Sequence, residues 1–182
     1  MTDKDLSFDA VIIGAGVIGS AIGYELAKQG RRTLNVDRLP AAGYGSTSNS
    51  CAVIRVHYST VPGTALAYES YFDWKSWPDY LGVEDERGYA AFHENGCLVM
   101  KTGQNGYLKN IIANVSALKI PYEEWDADRI RKELPLYNLQ KFAPAQRMDQ
   151  DGFGEPTGGE VAGCVYFPTA GYISDPQLAT HN

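Results

Sequence analysis

Residues 8–23 have the sequence Phe8-Asp-Ala-Val-Ile-Ile-Gly14-Ala-Gly16-Val-Ile-Gly19-Ser-Ala-Ile-Gly23, which predicts how the N-terminal part of the chain folds. The apolar run 10–13 predicts a buried parallel strand, and residues 17–29 predict the helix that follows it. Gly30 ends that helix, residues 33–36 predict a second strand, and Asp37 stands at its end. This order of elements is the fingerprint of a dinucleotide-binding unit. A glycine-rich strand–helix turn that binds nothing is the alternative.

Each glycine of the motif has a mechanical role in that unit. Gly14 permits the tight turn out of the strand, Gly16 leaves room for a pyrophosphate, and Gly19 lets the helix pack closely on the sheet. The pyrophosphate would lie at the helix N-terminus, where free N–H groups and the helix dipole favour an anion. Asp37 would accept hydrogen bonds from a ribose hydroxyl. Its charge would repel a 2′-phosphate, which disfavours NADP.

Composition excludes several classes of function. The 182 residues carry a formal charge of −6, which argues against nucleic acid as the main partner. Residues 1–5 are polar, unlike a secretory signal, and no apolar run reaches membrane-spanning length. The three cysteines, Cys51, Cys97 and Cys164, form no metal or redox motif and indicate free thiols in a reducing compartment. We therefore expect a cytoplasmic protein with no metal site, no nucleic-acid partner and no membrane partner.

Further elements follow the dinucleotide unit. A loop of small residues spans 41–50, and a helical stretch with aromatic residues, more typical of core than of a binding face, runs from Pro62 to Trp77. Strands are predicted at 96–101 and 163–167, and helices at 107–118 and 126–134. The charges at 123–133 are most simply a solvated face, and Ser174-Asp175-Pro176 has the pattern of a helix start.

These pieces, taken in order, resemble the FAD-dependent amine and amino-acid oxidoreductases, a family that includes D-amino-acid oxidase, glycine oxidase and the sarcosine oxidases. The resemblance runs from the glycine motif and Asp37 through Gly45-Ser46-Thr47 and Ile54-Arg55-Val-His-Tyr58. It continues through 96–99, through the helix start at 125–128 that ends at Leu134-Pro135, and into Gly171-Tyr-Ile-Ser-Asp175-Pro176. It therefore spans nearly the whole chain.

The resemblance implies an α/β fold that is incomplete relative to the family. Residues 1–87 would be the first part of a Rossmann-type FAD-binding domain, built on the βαβ unit. Residues 88–170 would be part of an α+β substrate domain with a mixed or antiparallel sheet, and 171–182 would start the return to the FAD domain. Complete members are about twice as long, so the chain is expected to be an N-terminal fragment or one piece of a split enzyme.

The resemblance also implies site residues. The residues expected to contact FAD are Gly14, Ala15, Gly16, Val17, Ile18, Gly19, Asp37, Arg38, Gly45, Ser46 and Thr47. Arg55 lies where sarcosine oxidases carry an arginine that pairs with the substrate carboxylate, and a guanidinium suits that role. An arginine paired with a neighbouring acid is the equally weighted alternative.

Two positions depart from the family. Ala52 replaces a second basic residue, and Asn49 stands where some relatives tether FAD through a histidine, so non-covalent FAD is expected. His57 is interpreted as an ordinary polar residue, and no catalytic acid or base is assigned.

The leading hypothesis is an FAD-dependent oxidase or dehydrogenase that oxidises the C–N bond of a small amine or amino acid to an imine. One alternative is an NAD-dependent dehydrogenase. Another is a non-catalytic FAD- or ADP-binding module, or a subunit whose missing half comes from a second chain.

Overall fold

A computed structural model describes residues 7–182. Residues 1–6 lie outside it, so the N-terminal segment on which the expectation of no secretory signal rests is not described. Two compact units share the chain. The first comprises residues up to Ile54 together with Phe72–His93 and Gly171–Asn182, and the second comprises Arg55–Tyr71 and Glu94–Ala170. The assignment of 1–87 to a FAD domain and of 88–170 to a substrate domain stays a prediction, because compactness does not identify a ligand.

The first unit begins with the predicted βαβ unit. Strand β1 (Ala10–Ile13) pairs in parallel with β2 (Thr33–Val36), and helix α1 (Val17–Lys28) connects them. These three elements are confirmed. Gly30 follows the helix with φ +75°, a left-handed conformation that glycine adopts readily.

One face of this small sheet is open, so the expectation of a buried strand is wrong. Ile12 is 9% exposed beneath α1, whereas Val11 is 58% and Ile13 is 90% exposed on the opposite face. Side chains alternate across a strand, and α1 lies on one face only. Among residues 7–182 no element buries the other face of β1.

The rest of the first unit is a small antiparallel sheet with short helices. Strand β8 (Gly171–Ile173) lies between β3 (Val53–Ile54) and β4 (Phe92–His93). Helix α2 (Val61–Lys75) belongs to the second unit up to Tyr71 and to the first from Phe72 onward, and α3 (Trp77–Leu81) follows it. Of the aromatic stripe on α2, Tyr71 is buried as expected, but Phe72 is 51% exposed. Helix α6 (Pro176–His181) begins where Asp175 caps it, as the sequence predicts.

The second unit is built on an antiparallel sheet. Strand β7 (Gly163–Phe167) lies between β5 (Cys97–Met100) and β6 (Glu123–Asp126). Helices α4 (Leu108–Ala117) and α5 (Ala127–Glu133) follow β5 and β6 in the chain. The predicted antiparallel sheet is therefore confirmed. The charged side chains at 123–133 are exposed, as the sequence predicts, and residues 123–126 also form a strand paired with β7, with Trp125 buried at 8% exposure.

Among the described residues, no helix is long and apolar enough to cross a membrane.

Candidate functional site

The turn between β1 and α1 uses its glycines as the sequence predicts. Gly14 has φ +107°, and its N–H donates to the Val36 carbonyl at 2.7 Å. A Cβ on Gly19 would lie 2.0 Å from the Gly14 carbonyl oxygen, closer than any side chain permits. The first turn of α1 therefore rests directly on the backbone of the glycine turn, and this contact fixes where the helix N-terminus points.

A polar contact behind the turn holds helix and sheet together. Asn35 Nδ2 donates to the Gly19 carbonyl at 2.9 Å, and a Cβ on Gly23 would lie 2.8 Å from Asn35 Oδ1. Glycine at position 23 gives the Asn35 amide room on the facing helix, and a Cβ there would require the end of the Asn35 side chain to shift.

Asp37 closes the turn from the end of β2. Its Oδ2 accepts the Ala15 N–H at 2.7 Å, and its Oδ1 accepts the Leu39 N–H at 2.8 Å. These backbone hydrogen bonds, above all that from Ala15, lower the pKa of the carboxyl group and keep it ionised. These bonds use only part of the acceptor capacity of a carboxylate, which has about four acceptor positions, so capacity remains for a hydroxyl group of a ligand.

A cavity of about 350 Å³ opens beside this carboxylate. Its walls are Ile13, Gly14, Val36, Asp37 and Arg38. The walls combine two apolar side chains with one fixed anion and one exposed cation. This composition suits a ribose joined to a flat ring.

The loop of small residues returns to the same helix N-terminus. Thr47 Oγ1 accepts the Val17 N–H at 3.1 Å, and the Gly43 N–H donates to the Ala15 carbonyl at 2.7 Å. A Cβ on Gly16 would lie 3.1 Å from Thr47 Oγ1, so glycine gives this hydroxyl room. The sequence predicted free N–H groups at this helix end. The structure shows instead that two of them, on Ala15 and Val17, donate to protein oxygens.

A second cavity, of about 270 Å³, lies on the loop side of the turn. Ser46, Thr47 and Ser50 supply hydroxyl groups to its wall, and Trp74 and Ile173 supply apolar surface. Trp74 and Ile173 are not predicted as site residues from the sequence. No local signal could have found them, because Trp74 has the pattern of a core residue and Ile173 reaches the cavity only through the pairing of β8.

The structure thus brings together most of the predicted cofactor residues. Gly14 to Gly19, Asp37 and Thr47 surround one turn, Arg38 lines the first cavity and Ser46 the second. Ile18 and Gly45 line neither cavity: Ile18 is 75% exposed on α1, and the Gly45 carbonyl oxygen accepts hydrogen bonds from the side chains of Ser48 and Asn49. Among the described residues, no group of three or more acidic, histidine or cysteine side chains is placed to hold a metal ion.

Arg55 belongs to the second unit, where its charged group contacts an aromatic ring. The guanidinium carbon lies 4.6 Å from the ring centre of Tyr58, and within residues 7–182 no carboxylate approaches it within 4.0 Å. The alternative of an arginine held by a neighbouring acid is therefore not what the structure shows. Burial raises the pKa of the Cys97 thiol even though the charge of Arg55 opposes this shift, so Cys97 remains a neutral thiol.

His57 is buried and neutral. It is 5% exposed and stacks on Phe167, with 4.3 Å between ring centres. Burial lowers its pKa to about 4, and the charge of Arg55 adds to this effect. Its Nδ1 has no hydrogen-bond partner among the described residues. An uncharged imidazole at neutral pH neither neutralises an anion nor competes with Arg55 for one.

Most of the chain is similar to known amine and amino-acid oxidoreductases in sequence or in structure. The human peroxisomal sarcosine oxidase is 29% identical over 140 residues, which are 76% of this chain and 34% of that protein. The crystal structure of L-proline dehydrogenase from P. horikoshii superposes with a TM-score of 0.71 at 21% identity, over 96% of this chain and 40% of that one. Glycine oxidase from Geobacillus kaustophilus gives a TM-score of 0.65 at 21% identity, over 94% of this chain and 42% of that one.

The chain thus spans about a third of the length of the curated relatives that it matches. The solved structures show the same fold in the corresponding part of longer chains, as the expectation of an incomplete fold requires. The family model described as FAD dependent oxidoreductase matches residues 9–182. The predicted cofactor, FAD, is thereby confirmed for the family, and the chain belongs to the FAD dependent oxidoreductases.

Proposed function

We propose that this chain holds the ADP half of FAD and the substrate carboxylate for an enzyme that oxidises the C–N bond of a small amine or amino acid to an imine. One observation carries the cofactor part of the proposal. The Asp37 carboxylate and the Thr47 hydroxyl both hydrogen-bond to the 14–17 turn, and a cavity lies on each side of it. A ligand with its pyrophosphate at the turn could extend into both cavities.

The residues present fit the two ends of such a ligand. The cavity at Asp37 offers the remaining acceptor positions of a fixed carboxylate, which suit the ribose hydroxyls of the adenosine part. The cavity at Thr47 offers hydroxyl groups for a polar chain beside the apolar surface of Trp74 and Ile173. The nearby Asn49 amide donates to the Gly45 carbonyl at 3.0 Å and is not a nucleophile, which supports non-covalent attachment.

Substrate binding is proposed for Arg55. Arg55 is exposed, forms no ion pair with a carboxylate of residues 7–182 and presents several N–H donors in one plane. A carboxylate can accept two of these donors at once, which orients an amino acid as well as binding it. When bound, the flavin supplies the acceptor for a hydride from the carbon next to nitrogen, and water then hydrolyses the imine. The chain's own part is to bind and orient.

A second candidate, a subunit or module that lacks activity alone, is favoured by the coverage. The chain matches 34% of the human relative, so the remaining contacts to cofactor and substrate could come from further sequence or from a second chain.

The free thiols of Cys51, Cys97 and Cys164 support the proposal of a cytoplasmic location.

A titration of the purified chain with FAD, ADP and NAD tests the cofactor proposal. We expect quenching of flavin fluorescence on binding, and we expect ADP to displace the flavin. A folded chain that binds neither FAD nor ADP would overturn the proposal, and binding of NAD without FAD would favour the dehydrogenase alternative. Co-purification with a chain that restores flavin reduction by N-methylglycine would identify a split enzyme.

A further inference from the structure

We propose that Tyr58 is a positioning residue for Arg55: its ring holds the guanidinium as a preformed fork for the substrate carboxylate. The inference rests on the proposed role of Arg55 in binding substrate. It names a residue that neither the glycine motif nor the spacing of charged residues indicates. The cation and the ring are 4.6 Å apart, within the range of a cation–π contact.

The segment 55–58 is arranged so that these two side chains share the surface. Val56 is fully buried and His57 is 5% exposed, whereas Arg55 and Tyr58 on either side of them are exposed. The two inner residues anchor the segment in the core of the second unit. The two outer residues are left to contact each other.

Tyr58 is held firmly by its own backbone. Its N–H donates to Thr64 Oγ1 at 3.2 Å, and its carbonyl oxygen accepts Asn114 Nδ2 from α4 at 3.1 Å. Thr64 itself is fully buried at the start of α2. The ring therefore projects from a backbone tied to two helices, and it can act as a platform.

The geometry of the contact leaves Arg55 free to bind an anion. Arg55 Cζ lies over the Tyr58 ring, and a ring is a much weaker acceptor for guanidinium N–H donors than a carboxylate, so the contact leaves these donors available to an anion. An exposed arginine otherwise loses side-chain entropy when a ligand fixes it. A platform that restrains the guanidinium beforehand reduces this loss and strengthens carboxylate binding.

Measurements on the 182-residue chain in its FAD-free form test the role of Tyr58 apart from flavin chemistry. The first readout is the order of the Arg55 Nε–H group by nitrogen-15 relaxation, with the signal assigned by its loss in Arg55→Lys. The second is the shift of that signal on titration with N-methylglycine. Dimethylamine, which lacks the carboxylate, is the matched probe.

Three variants give the contrast. Tyr58→Leu removes the ring and should make the Arg55 group mobile and weaken N-methylglycine binding about two- to five-fold. Tyr58→Phe keeps the ring and should restore both order and affinity. Tyr137→Leu is the control, since it makes the same change at an exposed tyrosine of the same unit.

The outcomes separate the inference from the proposal on which it rests. If the wild-type chain binds N-methylglycine and Tyr58→Leu binds it equally well with Arg55 equally ordered, the role of Tyr58 is wrong while that of Arg55 stands. If the wild-type Arg55 signal responds to neither probe, or equally to both, Arg55 does not bind the carboxylate. The positioning role of Tyr58 is then wrong as well. FAD binding by the same chain is measured separately and is independent of both results.

Discussion

The β1–β2 sheet of the first unit and the β5–β7–β6 sheet of the second unit differ in how far their strands are buried. In the second unit, β7 lies between two partners, and Cys164, Val165 and Phe167 are fully buried. In the first unit, β1 has one partner, and Ile13 is 90% exposed although it is as apolar as any residue of β7. Parallel sheets are normally covered on both faces. The second unit is therefore shaped by its own core, whereas the βαβ unit is shaped by a turn that positions hydrogen-bonding groups.

The largest expected effect is on the core of the second unit. Phe167→Ala should lower the free energy of unfolding by about 3–5 kcal/mol, because it removes a fully buried ring and leaves a cavity. Urea unfolding measures the loss. Ile13→Ala on β1 is the contrasting variant and should cost less than about 1 kcal/mol. Equal losses of unfolding free energy in the two variants would mean that Ile13 is buried in solution, which its 90% exposure contradicts.

A change of pH is expected to alter the free energy of unfolding nearly as much as Phe167→Ala does, through His57 in the second unit. His57 takes up a proton at about pH 4 in the folded chain and near its ordinary value of 6.5 when unfolded. Between these values the unfolded chain binds more protons, so stability falls as the pH is lowered from 6.5 to 4, by about 3 kcal/mol in all. Urea unfolding at several pH values measures this dependence.

The control for that measurement is His57→Phe, which keeps the stack on Phe167 and removes the titrating group. The difference between wild type and variant isolates the histidine from the carboxyl groups that titrate in the same range. A difference that does not change with pH would contradict a buried, neutral His57.

In the first unit, a substitution in the glycine turn should weaken ligand binding more than it lowers the free energy of unfolding. Gly19→Ala places a Cβ against the Gly14 carbonyl oxygen and should cost about 1–3 kcal/mol of stability while weakening ADP binding at least tenfold. Gly23→Ala makes the same change on the same helix, but it meets only the movable end of Asn35. Isothermal calorimetry with ADP should find Gly23→Ala near wild type. Equal losses in both variants would show that helix packing, not the turn, controls the site.

The smallest expected effect concerns selectivity. Asp37→Asn removes the charge that disfavours a 2′-phosphate and also one of the two backbone hydrogen bonds to Asp37. Both nucleotides lose that support equally, so the ratio of their affinities reports the charge, and the preference for ADP over 2′-phospho-ADP should narrow. Competition titrations with the two nucleotides measure the ratio, and Asp9→Asn elsewhere in the same unit serves as the control. An unchanged ratio would show that the carboxylate faces away from the ribose.

Elements held by contacts between neighbouring residues were predictable from the sequence, and elements held by contacts between distant residues were not. The βαβ unit and the caps at Asp126 and Asp175 depend on neighbouring residues, and they were predictable from spacing. Strands β3, β4 and β8 have two or three residues each and exist only by pairing across the chain, so no local pattern revealed them. The hydroxyl of Thr47 reaches Val17 across thirty positions, a contact that the loop's composition suggested but could not locate.

Ala15 illustrates how such a site can escape side-chain mutagenesis. Its N–H donates to Asp37 and its carbonyl oxygen accepts from Gly43, so one residue joins the end of β2 to the small-residue loop. Its methyl group takes part in neither bond. A scan that exchanges side chains would therefore leave both hydrogen bonds in place, and only proline, which has no N–H, removes the one to Asp37. Ala15 thus links the two sides of the proposed cofactor site through its backbone alone.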